Sequence, residues 1–424
     1  MSLGFALSIS SCKKEGCTDE TAINYDDKAK DDDGSCEYPD AQEGEVTKTG
    51  SITTNETWTA NNIYFLDGKV VVEDGATITI EPGTIIKGKQ GQEAAAAALI
   101  VAKGGMIMAE GTAAAPIIFT SELDNITYGE KVGTNLTKTD NEKWGGIAIL
   151  GDAPSSAENG DKVGNLEGIP ADEEYGEYGG ENAADNSGVM KYVSIRHGGI
   201  SIGEGNELNG LTLAGVGNGT TIENIEIYAT LDDGVEFFGG TVNVSNVLVF
   251  YQGDDGIDVD QNYSGTVNGF AVIHGDGIGT DEGLEIDGPE GSTYTDGLFT
   301  LKNGLCKNEG SEGSAADFKS KAQGIIQNVT FEYGSKPVKL RASFDETCGA
   351  KSDAAKYVAD DRLVYENCNM SSVEVYENAN PATCISGTAA AQTAAEAKIN
   401  IGGSGGSVSL STWSWGAAGN NNEL

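Results

Sequence analysis

The hydrophobic positions between Thr221 and Pro289 fall into three lines of one pattern. Ile222-Glu-Asn-Ile-Glu-Ile-Tyr228 leads to Asp232-Asp-Gly-Val-Glu-Phe237. Val244-Ser-Asn-Val-Leu-Val-Phe250 leads to Asp254-Asp-Gly-Ile-Asp-Val259. Val267-Asn-Gly-Phe-Ala-Val-Ile273 leads to Asp281-Glu-Gly-Leu-Glu-Ile286. Branched and aromatic residues at alternating positions predict strands, because successive side chains of a strand point to opposite faces. Gly, Asn and Asp between the runs supply tight turns. Asp233 to Asp255 and Glu236 to Asp258 each span 22 residues, while Asp255 to Glu282 and Asp258 to Glu285 each span 27. The spacing inside each line is constant and the interval between lines is not, as in a coil with a variable loop. Units this short bury an apolar face only against their neighbours, which predicts a solenoid. No 3.6-residue apolar stripe recurs, so helical repeat arrays are excluded. The expected fold is all-β: a right-handed parallel β-helix of about 22 residues per coil with long loop insertions.

The same texture extends over the chain from about Val46. Strands are expected within Gly75–Gly83, Thr84–Lys87, Leu99–Val101, Met106–Met108, Pro116–Thr120 and Trp144–Gly151. The intervals Ile78 to Leu99 (21) and Ile85 to Ile107 (22) read as one rung. Coils are expected again at Lys191–His197, Asn209–Gly217, Ile325–Phe331 and Val373–Tyr376, with a short helix over 388–397 and a final strand or cap at Ser407–Trp415. Between them lies a long acidic insertion, Ser155 to Ser187, and loops of that length are usually functional or disordered. Its Tyr175 and Tyr178 lie near Gly residues and are candidates for a sugar-stacking platform, the plainer reading being that they anchor the loop. The chain divides into a signal segment (1–11), a tether with a small disulfide module (12–45) and the β-helix with its cap (46–424).

Charge narrows the partners. With 26 Lys and Arg against 66 Asp and Glu, the formal net charge is −40. Phosphate binding needs clustered basic residues, so nucleic acid is excluded as a partner, and so is docking on anionic headgroups. Any membrane attachment would run through an N-terminal lipid. Met1–Ser11 is a short apolar run ending Ile9-Ser-Ser-Cys12, too short to span a bilayer. It resembles a bacterial lipobox with Cys12 as the lipidated residue. Removing Cys12 from the seven cysteines leaves Cys17, Cys36, Cys306, Cys348, Cys368 and Cys384. An even set suits three disulfides in an oxidising, extracellular compartment. Cys17 should pair with Cys36, and pairing among the other four is not readable.

Several motifs resemble known families. Gly16-Cys-Thr-Asp through Asp31-Asp-Asp-Gly-Ser-Cys36 is similar to a small cysteine module of Bacteroidota surface and secreted proteins. Its aspartates fail as an EF-hand, because Ala29 takes the first ligand position. Pro116-Ile-Ile-Phe-Thr, Trp144-Gly-Gly-Ile-Ala-Ile-Leu-Gly, Asp185-Asn-Ser-Gly, Asn209-Gly-Leu-Thr-Leu-Ala-Gly-Val-Gly and Asp232-Asp-Gly-Val-Glu-Phe-Phe-Gly-Gly resemble a large family of Bacteroidota surface β-helix lipoproteins. That resemblance implies fold and an outer-membrane, cell-surface location. It implies no reaction.

The acidic ladder is the main candidate for chemistry. Adjacent rungs lie about 4.8 Å apart, so Asp233, Asp255 and Glu282 would stack, as would Glu236, Asp258 and Glu285. Stacked carboxylates repel unless a cation or donor lies between them. Together with Asp232, Asp254 and Asp281 they form a candidate Ca²⁺ site, since Ca²⁺ takes six to eight oxygens at 2.3–2.6 Å. In a second reading, Asp254, Asp255 and Asp258 divide acid and base roles in glycan cleavage. Gly253-Asp-Asp-Gly256 is superficially similar to the Asp pair of polygalacturonase-type β-helices. Their Gly-His-Gly and Arg-Ile-Lys elements are absent, and the chain has only His197 and His274. In a third reading the Asp-Gly pairs only cap turns. The literal matches Gly402–Gly406 and Gly215–Gly219 lack the strand-to-helix context of a nucleophile elbow or dinucleotide loop. The favoured expectation is a non-enzymatic surface protein binding glycans or a partner protein along a calcium-stabilised face. A polysaccharide lyase or hydrolase, and a self-associating surface component, are the alternatives.

Overall fold

The computed structural model describes residues 14–18, 22, 25, 28–36, 44–92, 95–157, 161–166, 169, 173–203, 206–275, 278–408 and 413–414. The chain divides into two compact units, with the boundary in the sequence between Gly44 and Glu45. In the first, Cys17 and Cys36 are disulfide-bonded with Cα atoms 4.8 Å apart, and Glu15–Gly16 pairs in parallel with Asp31–Asp32. The lipobox reading at Cys12 lies outside the described residues.

The second unit is a parallel β-helix, with 23 strands linked into one ladder system. From Gly188 onward each coil has one long strand and one short one. The long strands Gly188–Arg196, Thr221–Tyr228, Asn243–Phe250, Thr266–His274, Phe299–Asn308 and Gly324–Glu332 stack in that order. The short strands Leu211–Ala214, Val235–Phe238, Ile257–Asp260, Leu284–Ile286, Ala316–Phe318, Val338–Ala342 and Val373–Glu377 form a second stack. Inward positions fill the interior in rows. Val193, Ile225, Val247 and Phe270 make one, and Leu211, Val235, Ile257 and Leu284 make another, all at most 2% exposed. Gly304 follows Phe270 in its row because a Cβ there would lie 2.1 Å from the Phe270 ring.

Each long strand bends at one residue with positive φ: Tyr192, Asn224, Asn246, Gly269, Asn303, Asn328 and, in the last coil, Asn367. Asn tolerates the left-handed region better than other non-Gly residues, and here its amide also bonds between rungs. Asn246 donates to Asn224 (3.1 Å), Asn328 to Asn303 (3.1 Å) and Asn367 to Asn328 (2.8 Å). Where Gly269 takes the bend, the preceding Asn268 lends its carbonyl to Asn303 at 2.7 Å.

The 22-residue rung holds where loops are short: Glu56 stacks under Ile78, Ile63 under Ile85 and Val235 under Ile257. Two early equivalences need correction. Ile78 stacks on Ile107 and Leu99 on Ile147, while Ile85 stacks on Ile118. Intervals near 22 there connect different sheets, because loops between the coils lengthen each turn. The C-terminal helix runs Ile385–Lys398, and a second helix at Ala354–Ala359 has no counterpart among the expectations. Ser407–Trp415 is only partly described; Trp413 in it packs against Tyr192 with ring centroids 5.5 Å apart. Among the described residues, no helix is long and apolar enough to cross a membrane.

The expectation of three disulfides is also corrected. Cys348 pairs with Cys384, but Cys306 and Cys368 are free and buried. Cys306 occupies an inward core row between Val272 and Phe331, so it behaves as a small hydrophobe. Cys368 lies buried with its thiol 3.4 Å from the carbonyl of Ile326.

Candidate functional site

The short strands present one outward row along their whole stack. In register it reads Val71, Ile100, Ala148, Thr212, Glu236, Asp258, Glu285, Asp317, Lys339 and Glu374. The row is apolar upstream and charged downstream. Over the apolar part lies the 155–187 insertion. Its Leu166, Ile169 and Tyr178 pack on Val71, Ile100, Ala148, Leu150, Ala214 and Phe238. Tyr178 is 3% exposed, its ring lies 5.8 Å from that of Phe238, and its hydroxyl donates to Gln261 at 3.0 Å. It therefore offers no open face for a sugar, and Tyr175 is half-buried against the same cluster. Tyr178 is thus a loop anchor and not an open stacking face.

The insertion stops where the acids begin. Leu166 and Phe238 form the apolar wall of a cavity of about 160 Å³ whose other lining is Asn209, Thr212, Asp232, Asp233 and Glu236. The acids at the preceding turn stack as expected. The amide of Asp233 donates to Asn209 Oδ1 (3.2 Å), that of Asp255 to Asp233 Oδ1 (3.0 Å) and that of Glu282 to Asp255 Oδ1 (2.6 Å). Turn capping thus uses one oxygen of each aspartate and leaves the other. Turn chemistry and cation binding are compatible at these residues.

Three sets of carboxylates come together, each with ligating oxygens within 4.8 Å of one another: Asp232, Asp233 and Asp254; Asp233, Glu236 and Asp258; Asp255, Asp258 and Glu285. Oxygens that share one Ca²⁺ at 2.3–2.6 Å can be no more than about 5 Å apart, a distance condition that all three sets meet. Asp258 is 8% exposed and its Oδ1 has no hydrogen-bond partner. A buried carboxylate oxygen without a donor is costly, and a cation would satisfy it. Burial first, and then the neighbouring carboxylates, push Asp233, Glu236, Asp255, Asp258 and Asp260 well above the ordinary carboxylate range.

Two of the nine expected ligands are not brought into these sets. Asp281 is exposed at the turn. Glu282 is held by Lys339 at 2.6 Å and by the Ser314 hydroxyl at 2.8 Å. The expectations also missed residues. Asn209 and Thr212 hold the places of Asp233 and Glu236 one coil earlier, and the parallel between Asn209-Gly-Leu-Thr and Asp233-Gly-Val-Glu was a usable signal. Lys339 and Arg341 lie downstream on the same sheet and Lys319 just past the end of the strand Ala316–Phe318, each ion-paired: Lys319 to Glu285 and Asp287, Lys339 to Glu282, Arg341 to Asp317. No repeat position marks these basic residues in the sequence. His197 and His274 are fully buried, and burial lowers both to about 4, so they are neutral structural residues at pH 7.

Comparison with known families fits this geometry. The pectate-lyase-like beta helix domain family matches residues 50–418, nearly the whole of the second unit. The chain belongs to that family. No curated protein and no solved structure gives a significant match. Membership in the pectate-lyase-like family fixes the parallel β-helix and fits a glycan-related role.

Proposed function

We propose that this member of the pectate-lyase-like family is an extracellular protein, anchored through Cys12, that binds glycans at a calcium ion held by the acidic face. Asp233, Glu236 and Asp258 hold the ion, and a sugar hydroxyl or carboxylate completes its coordination. The observation that carries this reading is Asp258: a buried carboxylate with an unpartnered oxygen, shared by two sets of converging acids. Binding is favoured over cleavage because the groups that could act as a base are committed. Burial alone would lower Lys319, but the hydrogen bond it donates to Glu285 and the charges of Glu285 and Asp287 hold it above the ordinary lysine range. Arg341 makes two hydrogen bonds to Asp317 through Nε, at 2.9 and 3.0 Å, and both histidines are buried.

The test is calcium titration by calorimetry followed by a glycan array, run with calcium and again with chelator. Calcium-dependent glycan retention that Asp258→Ala abolishes supports the proposal. Glycan binding that is indifferent to chelator, or no calcium binding, refutes it. A second reading, a polysaccharide lyase, draws support from the placement of Lys339 and Arg341 on the sheet directly after the acids, with Lys319 at the end of the strand between. Appearance of the ultraviolet-absorbing unsaturated product from an acidic polysaccharide would establish that reading instead.

A further inference from the structure

The acidic row changes character at Glu285. Above it, Asp233, Glu236, Asp255 and Asp258 have no Lys or Arg ion pair among the described residues. Below it Asp317 meets Arg341, and beside it Glu282 meets Lys339. Glu285 belongs to both regimes. It is one of three acids converging with Asp255 and Asp258, and it is also the partner of Lys319, whose ammonium lies 3.8 Å from Asp287 as well. The Lys319 ammonium and a divalent ion would compete for the Glu285 carboxylate, and two cations that close repel each other.

We infer that Lys319 is a built-in competitor that sets the affinity and the number of cations on this face. The inference rests on the calcium reading above and adds the residue that tunes it. With Lys319 on Glu285, the site at Asp255, Asp258 and Glu285 is blocked, and one cation binds at Asp233, Glu236 and Asp258. When Lys319 leaves, Glu285 becomes a ligand, Asp258 bridges the two sets, and a second cation enters. Its side chain is 32% exposed and lines an open groove of about 680 Å³ with Asp260, Glu285, Asp287 and Lys321. The displaced ammonium has room there to meet an anionic group on a ligand. Cation and ligand would then reinforce each other through one side chain.

Calorimetric titration of the intact protein with calcium chloride tests this, comparing wild type with Lys319→Met and Lys321→Met. Lys321 is the control: it lines the same groove, but its ammonium donates to the carbonyl of Pro289 at 2.8 Å. Lys319→Met should bind calcium about tenfold tighter and take up a second equivalent, whereas loss of a nearby charge in Lys321→Met should change affinity by less than about threefold. Equal or weaker binding by Lys319→Met, or the same gain in both variants, overturns the inference and leaves the calcium reading standing. No binding by any of the three proteins overturns both. Lys319 is partly exposed, and an unchanged circular dichroism spectrum confirms that the variant folds.

Discussion

Two stretches of one sheet, equal in backbone and opposite in surface, show how this chain separates fold from site. Upstream, the outward side chains are Val71, Ile100 and Ala148, sealed beneath the 155–187 insertion. Downstream, in unbroken register, they are Glu236, Asp258 and Glu285. The inward rows do not notice the change: Leu99, Ile147 and Leu211 give way to Val235, Ile257 and Leu284, all essentially inaccessible to solvent. Parallel stacking and the interior hold the coil, so the outward position is free to carry a hydrophobic seat for a loop or a column of repelling carboxylates. The acids are arranged against the stability of the ion-free protein, as expected where a ligand supplies the missing charge.

The sharpest way to break the comparison is to reverse inward and outward within one strand. Phe237 points inward, 1% exposed, with its ring 4.4 Å from that of Tyr263. Phe237→Ala should cost about 3–5 kcal/mol by chemical denaturation. Its outward neighbour Glu236, changed to Gln, should cost nothing measurable in chelator. A large loss from Glu236→Gln would show that the acid row supports the fold directly.

Calcium should have the next largest effect. At free calcium about 100 times Kd, linkage predicts a gain of about 2.7 kcal/mol in unfolding free energy. Asp258→Asn should lose that gain and yet unfold later than wild type in chelator, because it removes one of the mutually repelling groups. If Asp258→Asn is less stable than wild type in chelator, the carboxylate is structural.

The pH dependence in chelator follows from the same groups. Their folded values are raised, so the folded protein holds protons that the unfolded chain releases above about pH 4. That contribution is fully present below the unfolded values and is lost as pH rises through the raised folded ones. Wild type should therefore lose stability toward neutral pH faster than an Asp255→Asn/Asp258→Asn double variant, and calcium should flatten the difference. Parallel curves for the two proteins in chelator would contradict the assigned direction.

Architecture was legible because a β-helix writes its rung into the spacing of acids and branched residues, and the 22-residue steps at Val235–Ile257 and Glu236–Asp258 are real rungs. Legibility failed where two sheets share one interval. Ile78 and Leu99 have the right separation and the right chemistry, yet they stack on different strands, since periodicity does not say which sheet a strand joins. The converging acids were legible through their repeat, whereas Lys319 was not, because its pairing depends on which loop returns beside Glu285. Counting cysteines failed for a physical reason too: Cys306 has the size and polarity of a core side chain and was used as one. Tyr178 read as a surface aromatic because its burial partner, Phe238, lies in a strand 60 residues away.

That pair supplies a smaller perturbation of the upstream region. Phe238 is 7% exposed and closes the boundary between the insertion and the acidic cavity. Phe238→Ala should loosen the insertion locally, at a cost of about 1–2 kcal/mol, while the coil beneath stays intact. Limited proteolysis should then cut within 155–187 faster, with the global unfolding midpoint nearly unchanged. Cleavage at the wild-type rate would mean that the insertion is held by something other than this apolar seat.

The smallest expected effect lies at the bend that both regions share. Asn246 has φ of 58° and donates its amide to Asn224 at 3.1 Å, although the bend is exposed. Asn246→Ala should cost about 1–2 kcal/mol, combining left-handed strain with the lost hydrogen bond. Asn246→Gly keeps the bend without strain, loses only the bond and should cost about half as much. The next coil already makes this exchange, with Gly269 at the bend and Asn268 lending its carbonyl from the residue before. If Gly and Ala at position 246 prove equally harmful, the amide ladder and not the backbone turn holds the coils in register. The order Ala worse than Gly identifies the left-handed turn as the constraint that the outward rows, apolar or acidic, are free to ignore.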